Sequence, residues 1–140
     1  MRYYEYRHIV SFQETNLVGN VYYTHFLAWQ GRCREMFLRD HAPDVLAELS
    51  GSLSLATVRC SCEYFSELLA FDEVIVRMRL AELMQNRITL GFEYWRRKNG
   101  SEELVARGEQ QVACMKREEQ RVVPSVVPPS LREALAAYVE

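Results

Sequence analysis

Between Glu14 and Phe26 the chain reads Glu-Thr-Asn-Leu-Val-Gly-Asn-Val-Tyr-Tyr-Thr-His-Phe, a short run holding amides, a glycine, two tyrosines and a histidine. Asn16 can donate through its NH₂ and accept through its carbonyl, so it can hold a water or polarise a carbonyl. It has no useful basicity near neutral pH, which excludes general-base or nucleophilic carboxylate chemistry at that position. Arg34 is permanently charged and forked, suited to an enolate or a carboxylate. Tyr22, His25 and Phe26 could contact a substrate, and Thr57 could hydrogen-bond near its reacting group. Glu63 and Glu67 are the carboxylates nearest to these residues on the second strand. Each position also has a plain structural reading. Asn16 suits a turn, Arg34 or Arg32 suits a solvated helix face paired with Glu35 or Asp40, and His25 suits packing. Tyr22, Phe26 and Trp29 suit a core, because aromatic residues at helical spacing usually face one.

These residues need elements to hold them. Tyr4, Tyr6, His8 and Val10 share one side of a first strand. Asn20 is read as an N-cap, with one long helix from Val21 to about Asp40. Tyr22, Phe26, Trp29, Cys33 and Phe37 recur along it as a single apolar stripe. Pro43 and Gly51 bracket a short helix or loop. Four strand-like runs follow. Ala56, Val58, Cys60, Cys62 and Tyr64 form the apolar side of the first; Val74, Val76, Met78 and Leu80 that of the second; Ile88, Leu90, Phe92 and Tyr94 that of the third. Lys98-Asn99-Gly100 makes a tight turn into the fourth, Leu104 to Met115, where Gly108 predicts a bulge or a close backbone approach. Pro124, Pro128 and Pro129 end the sheet, and Ser130 caps a short helix, Leu131 to Tyr138. This order predicts an α+β fold, an antiparallel sheet of about five strands wrapped around one long helix.

With 140 residues the chain suits one domain, 1–140, large enough to bury a core. Its 49% hydrophobic and 26% charged residues and net charge of −2 describe an ordinary globular protein. No basic run is interleaved with aromatics, so nucleic-acid binding is not expected. No apolar run approaches the roughly 20 residues that span a bilayer, and the polar, aromatic N-terminus is no signal peptide. Cys33, Cys60, Cys62 and Cys114 show no metal-site spacing and read as buried free thiols in a reducing compartment. The expected location is the cytoplasm.

The chain resembles the 4-hydroxybenzoyl-CoA thioesterase-like branch of the hotdog superfamily over nearly its whole length. That branch carries Asp-x-x-Gly-x-Val-x-Tyr-x-x-Tyr at the start of its helix. Here Asn16 stands at the acid position, Gly19, Val21 and Tyr23 match in register, and Phe26 replaces the last tyrosine. Glu63 to Val74 is similar to the branch's Tyr-x-x-Pro and Gly-Asp connection, with proline and glycine missing but Asp72 kept. Asn99-Gly100 followed by Ala106-x-Gly108 resembles its last hairpin. Thr15 to Tyr23, together with Trp29-Gln30-Gly31-Arg32-Cys33-Arg34-Glu35, resembles the thioesterases that accompany iterative polyketide synthases making enediyne natural products. Those combine an asparagine at the acid position with an arginine late in the helix, and the alignment favours Arg34 over Arg32.

The resemblance implies a hotdog thioesterase that hydrolyses a carrier-tethered polyene β-ketoacyl thioester, with decarboxylation toward a methyl ketone polyene. The backbone N–H near Tyr23 would face the developing oxyanion, with Gly19 letting the preceding turn pass close to the substrate. Asn16, Arg34 and Tyr23 are thus the expected catalytic positions, and Gly19, Tyr22, His25, Phe26 and Thr57 the substrate-binding ones. No metal or organic cofactor is implied. The expected partners are an acyl carrier domain of an iterative polyketide synthase, a phosphopantetheine-linked polyene, and further copies of the chain as a dimer or a dimer of dimers. The rival readings are an acyl-CoA thioesterase of general metabolism and a non-hydrolysing acyl-binding partner. A hotdog dehydratase fits less well, because no histidine is placed as a base with an acid partner.

Overall fold

The computed structural model describes residues 2–140. In chain order the elements are β1 (Tyr4–Ile9), α1 (Thr24–His41), α2 (Pro43–Glu48), β2 (Leu53–Tyr64), β3 (Glu73–Leu83), β4 (Arg87–Lys98), β5 (Ser101–Glu118), β6 (Arg121–Pro124) and α3 (Pro129–Ala136). One antiparallel sheet runs β1-β3-β4-β5-β2, with β6 paired to the end of β5. Helix α1 lies on its concave face, the hotdog arrangement.

The helical stripe explains the packing. Phe26, Trp29, Cys33 and Phe37 are buried and meet Tyr4, Val76, Met78, Phe92 and Tyr94 from the sheet in one core. Each large side chain buried there stabilises the fold by roughly 1.5–3 kcal/mol. Tyr94 adds a polar lock, donating its buried hydroxyl to the Phe26 carbonyl at 2.7 Å. Between β4 and β5 the chain reverses through Asn99 and Gly100, both at positive φ (53° and 78°), the two-residue turn that the Asn-Gly pair favours.

Several elements depart from the sequence reading. Helix α1 begins at Thr24, not Val21, and Asn20 is not its N-cap. Val21 instead bridges Thr15, and Asn20 bridges Leu69, so this stretch is extended before the helix starts. Tyr22 therefore leaves the apolar stripe and stands 46% exposed. Ser130 does not cap α3, which follows Pro128 with Pro129 in its first turn. The short β6 lies in a stretch read as irregular. All four cysteines are free, but Cys60 is exposed on β2 rather than buried.

Strand β2 is an edge of the sheet, and the alternation read from its sequence fails there. The pairing with β5 slips between Thr57 and Arg59, leaving Val58 as the extra residue of a bulge. A bulge reverses which side chains face inward. Thr57 thereby points at helix α1, where it reaches Arg34, while Tyr64 beyond the bulge packs edge-on against Phe26.

The connection where the related proteins carry Gly-Asp holds Phe71 at φ 71°, a conformation that glycine adopts far more easily. Three bonds pin it: Phe71 N–H to Val10 O (2.8 Å), Asp72 N–H to Leu69 O (3.1 Å) and Leu69 N–H to the Asp72 carboxylate (2.8 Å). At Gly108 the requirement is space. A Cβ there would stand 2.3 Å from Gln30 Nε2 and 2.7 Å from the Ser61 carbonyl. That is close approach, not a bulge, since the ladder runs through Gly108 in register on both sides.

Gly108→Ala is therefore expected to destabilise the protein by about 1–3 kcal/mol, read as a lower urea midpoint at unchanged slope. An unchanged midpoint would mean that both Gln30 and the Ser61 carbonyl move aside without cost.

Candidate active site

The segment before helix α1 forms a small hairpin. Thr15 bridges Val21, Tyr22 N–H donates to the Glu14 carbonyl at 3.0 Å, and Asn16 N–H donates to the Asn20 carbonyl at 2.8 Å. Gly19 closes it at φ 94°, with its N–H on the Asn16 carbonyl at 2.9 Å. No atom outside its chain neighbours lies within 4 Å of where a Gly19 Cβ would stand, so within the chain the glycine serves the left-handed turn and makes no close packing contact.

Asn16 is partly buried at the turn of this hairpin, and its Oδ1 accepts the Val18 N–H at 3.0 Å. The turn-forming and the chemical readings of this residue therefore coincide. Because Oδ1 is fixed by a backbone donor, the amide orientation is fixed too. The NH₂ has no acceptor among the described residues, so what Asn16 offers is a donor. Tyr23 immediately precedes the helix, and its N–H likewise has no acceptor among the described residues. Its carbonyl takes the Tyr64 hydroxyl at 2.9 Å, which ties the end of β2 to the start of α1. The open end of a helix, with free N–H groups and the positive end of its dipole, favours a developing negative charge.

His25 sits half-buried on the first turn with no side-chain bond among the described residues. Phe26 is core, packed against Trp29, Tyr64 and Tyr94. Exposed Tyr22 stacks at a tilt on Tyr23, with ring centroids 4.7 Å apart. Glu67 accepts from Asn20 Nδ2 at 3.1 Å, beside the hairpin, while Glu63 is exposed at the end of β2. The fold does create one histidine–acid pair that the sequence did not reveal, His8 Nε2 on Glu14 at 2.7 Å. Its other ring nitrogen faces the Tyr6 hydroxyl at 3.2 Å, so neither nitrogen is free to act as a base.

Arg34 lies elsewhere. It is ten residues beyond Thr24, about 15 Å along the helix axis, and no bond joins it to Asn16 or Tyr23. It pairs with neither Glu35 nor Asp40: Arg32 takes Glu35, and Asp40 takes Tyr4 and Arg39. Its Nη1 donates to Gln110 Oε1 at 2.7 Å and faces Thr57 Oγ1 at 3.5 Å. Burial lowers the pKa of its guanidinium. A charge held by two neutral acceptors leaves room for an anion. Beside it lies an apolar cavity of about 20 Å³, lined by Phe37, Leu38, Leu55, Met78 and Leu90 among others.

Gln110, 4% exposed, escaped the sequence reading. It stands in a strand run where a polar residue signals little, and only its position opposite α1 gives it a task. Gln30 is a second buried amide on the same helical face, donating to the Ser61 carbonyl at 2.9 Å. Among the described residues no cluster of His, Cys, Asp and Glu could hold a metal ion, and no helix is long and apolar enough to cross a membrane.

Removing the Gln110 acceptor strands the arginine. Gln110→Leu should cost about 1–3 kcal/mol of stability, and this cost should largely vanish when Arg34 is already methionine. Equal costs in both backgrounds, by chemical denaturation, would show that the bond to Arg34 contributes nothing.

No curated protein sequence matches the chain. Among solved structures it is similar to the dynemicin thioesterase, whose crystal structures describe induced-fit and allosteric effects upon polyene binding. The two share 50% identity at a TM-score of 0.96, over 99% of each chain. A 1,4-dihydroxy-2-naphthoyl-CoA thioesterase from Synechocystis shares the fold at 19% identity and TM-score 0.82, over 96% of each chain. So does a 4-hydroxybenzoyl-CoA thioesterase solved with 4-hydroxybenzoyl-CoA, at 15% identity and TM-score 0.85, over 96% of this chain and 99% of that one. Residues 10–135 match the family model of the Thioesterase-like superfamily, and the chain belongs to that family of acyl thioester hydrolases.

Proposed function

We propose that this thioesterase releases a polyene β-ketoacyl chain from the phosphopantetheine arm of a carrier protein in enediyne polyketide biosynthesis. The observation that carries the reading is Asn16, an amide whose free group is a donor, on the hairpin that leads into helix α1. The full-length likeness to the dynemicin thioesterase supports the choice of a polyene.

In this reading Asn16 Nδ2 and the Tyr23 N–H hold the thioester oxygen as water adds to the carbonyl carbon. The carbon–sulfur bond then breaks, and the thiolate leaves with a proton from the water. No proton need rest on Asn16. Preorganised donors of this kind are typically worth about 100- to 1000-fold each, and a thioester is already activated toward attack. The β-keto acid then loses CO₂ through an enolate, which on protonation becomes the methyl ketone.

Arg34 is the residue proposed to face the enolate or the product carboxylate, but the two carbonyls of a β-ketoacyl group are separated by a single carbon. Arg34 of the same chain is too far along the helix to serve both. Contacts along α1 and β2 suggest how the gap closes. Tyr23 meets Tyr64, Gln30 meets Ser61 and Arg34 meets Thr57, so helix and edge strand run in opposite directions. Two copies joined antiparallel along the open edge of β2, near Cys60 and Ser61, would set Tyr64 of one against Thr57 of the other. The helix start of each would then lie beside the partner copy's arginine. The exposed edge of β2 favours such pairing, and the proposed assembly is a dimer or a dimer of such dimers. A cavity of about 20 Å³ holds about one water, so the acyl chain would have to open it.

The test is free-thiol release from a long-chain β-ketoacyl carrier protein. Wild type should turn over, with Asn16→Ala and Arg34→Ala each slower by about tenfold or more. Acyl chain retained on the protein with no release above the spontaneous rate would replace this reading with that of a binding partner. Faster release from the coenzyme A thioester than from the carrier would favour general metabolism.

A further inference from the structure

The side chain of Glu14 gathers donors from three elements. Its Oε1 accepts the Ser11 N–H at 2.9 Å and faces His8 Nε2 at 2.7 Å. Its Oε2 accepts the Trp29 indole N–H at 2.8 Å and lies 2.9 Å from the same histidine nitrogen. His8 comes from β1, Ser11 from the turn that follows it, and Trp29 from the second turn of α1. Burial opposes the charge, yet the donors from Ser11, His8 and Trp29 outweigh it and hold the carboxyl below the usual range. A carboxylate so committed has no lone pair left for a substrate proton.

The main chain of the same residue forms the base of the Asn16 hairpin. The Glu14 carbonyl takes the Tyr22 N–H, Thr15 bridges Val21, and Asn16 follows. Only one residue separates the clamped carboxylate from the amide at the turn. Beyond the helical residue Trp29, the clamp also reaches the strand that carries His8, so the hairpin is fixed to both layers of the fold at its root.

We infer that Glu14 is a positioning residue, which holds the Asn16 amide and the Tyr23 N–H in register by clamping the hairpin root to β1 and α1. The inference rests on the role proposed for Asn16, through which Glu14 acts. An error of about 1 Å in such a donor can cost on the order of 100-fold in rate. In sequence Glu14 precedes the motif by two residues and reads as a loop acid, its one local sign being the Ser11-x-x-Glu14 spacing of a capping box.

The experiment is a double-mutant cycle on thiol release, with kcat and KM measured separately. Glu14→Gln keeps the shape but places an NH₂ among donors. It is expected to lower kcat about tenfold or more with KM within about twofold. In an Asn16→Ala background the same substitution should lower kcat by a clearly smaller factor than in wild type, because one of the two donors it holds in register is already gone. Trp29→Phe, which removes one donor and keeps an aromatic ring, should repeat the pattern more weakly and stands in if Glu14→Gln does not fold. A Glu14 effect that multiplies undiminished on Asn16→Ala overturns the inference and leaves the proposed site intact. Asn16→Ala turning over at the wild-type rate overturns both together.

Discussion

Helix α1 carries its large apolar residues in one stripe, and a single curved antiparallel sheet must cover all of it. Phe26, Trp29, Cys33 and Phe37 are buried because β3 and β4 run beneath them with Val76, Met78, Phe92 and Tyr94 turned inward. That one burial determines where polar groups can stand. The start of the helix follows Tyr23, whose N–H has no acceptor among the described residues, and the flank toward β2 keeps the amides of Gln30 and Gln110 and the charge of Arg34. Gln30 and Arg34 each donate across the seam, to the Ser61 carbonyl and to Gln110, while Gln30 Oε1 is buried without a partner among the described residues. The candidate site residues are confined to the rim and the flank of the helix by the same packing that stabilises the fold.

An asparagine in the hairpin before this helix changes what kind of catalysis is possible there. A carboxylate there could attack or accept a proton, whereas Asn16 can only orient and polarise. The structure narrows the choice further by spending the amide oxygen on the Val18 N–H, which leaves the NH₂ as the exposed function. In the proposed reading hydrolysis depends on geometry: two donors held in place, a thioester already reactive, and water admitted on one face. Chemistry of this kind makes the rigidity of the hairpin before the helix matter more than it would for a proton-transfer site.

The parts legible in sequence are those governed by periodicity. The stripe from Phe26 to Phe37, the alternation in β3 and β4 and the Asn-Gly turn each state their structure locally. Where a tertiary contact overrides local preference, the reading failed. Asn20 looks like a helix cap, but pairing with Leu69 keeps it extended. Val58 looks like one more step in an alternation, but it is a bulge, and Thr57 faces the helix because of it. Gln110 carries no motif at all and Glu14 only its capping-box spacing with Ser11, and their other partners lie far off in sequence or on separate elements. Phe71 is the converse case, a position where the expected glycine is absent and the left-handed backbone persists because neighbouring hydrogen bonds enforce it.

Hydrolysis without a carboxylate is the central claim, and the acids to test are Glu67, bonded to Asn20 of the hairpin, and Glu63, next to the Tyr64 that bonds Tyr23. The most direct measurement is thiol release by the Glu63→Gln/Glu67→Gln double variant, in which glutamine at 67 can still accept from Asn20. Turnover within about threefold of wild type is the expected result, since a substitution that touches no reacting atom alters kcat little. A fall on the order of 100-fold, the loss typical of a general base, would place a carboxylate in the mechanism and contradict it.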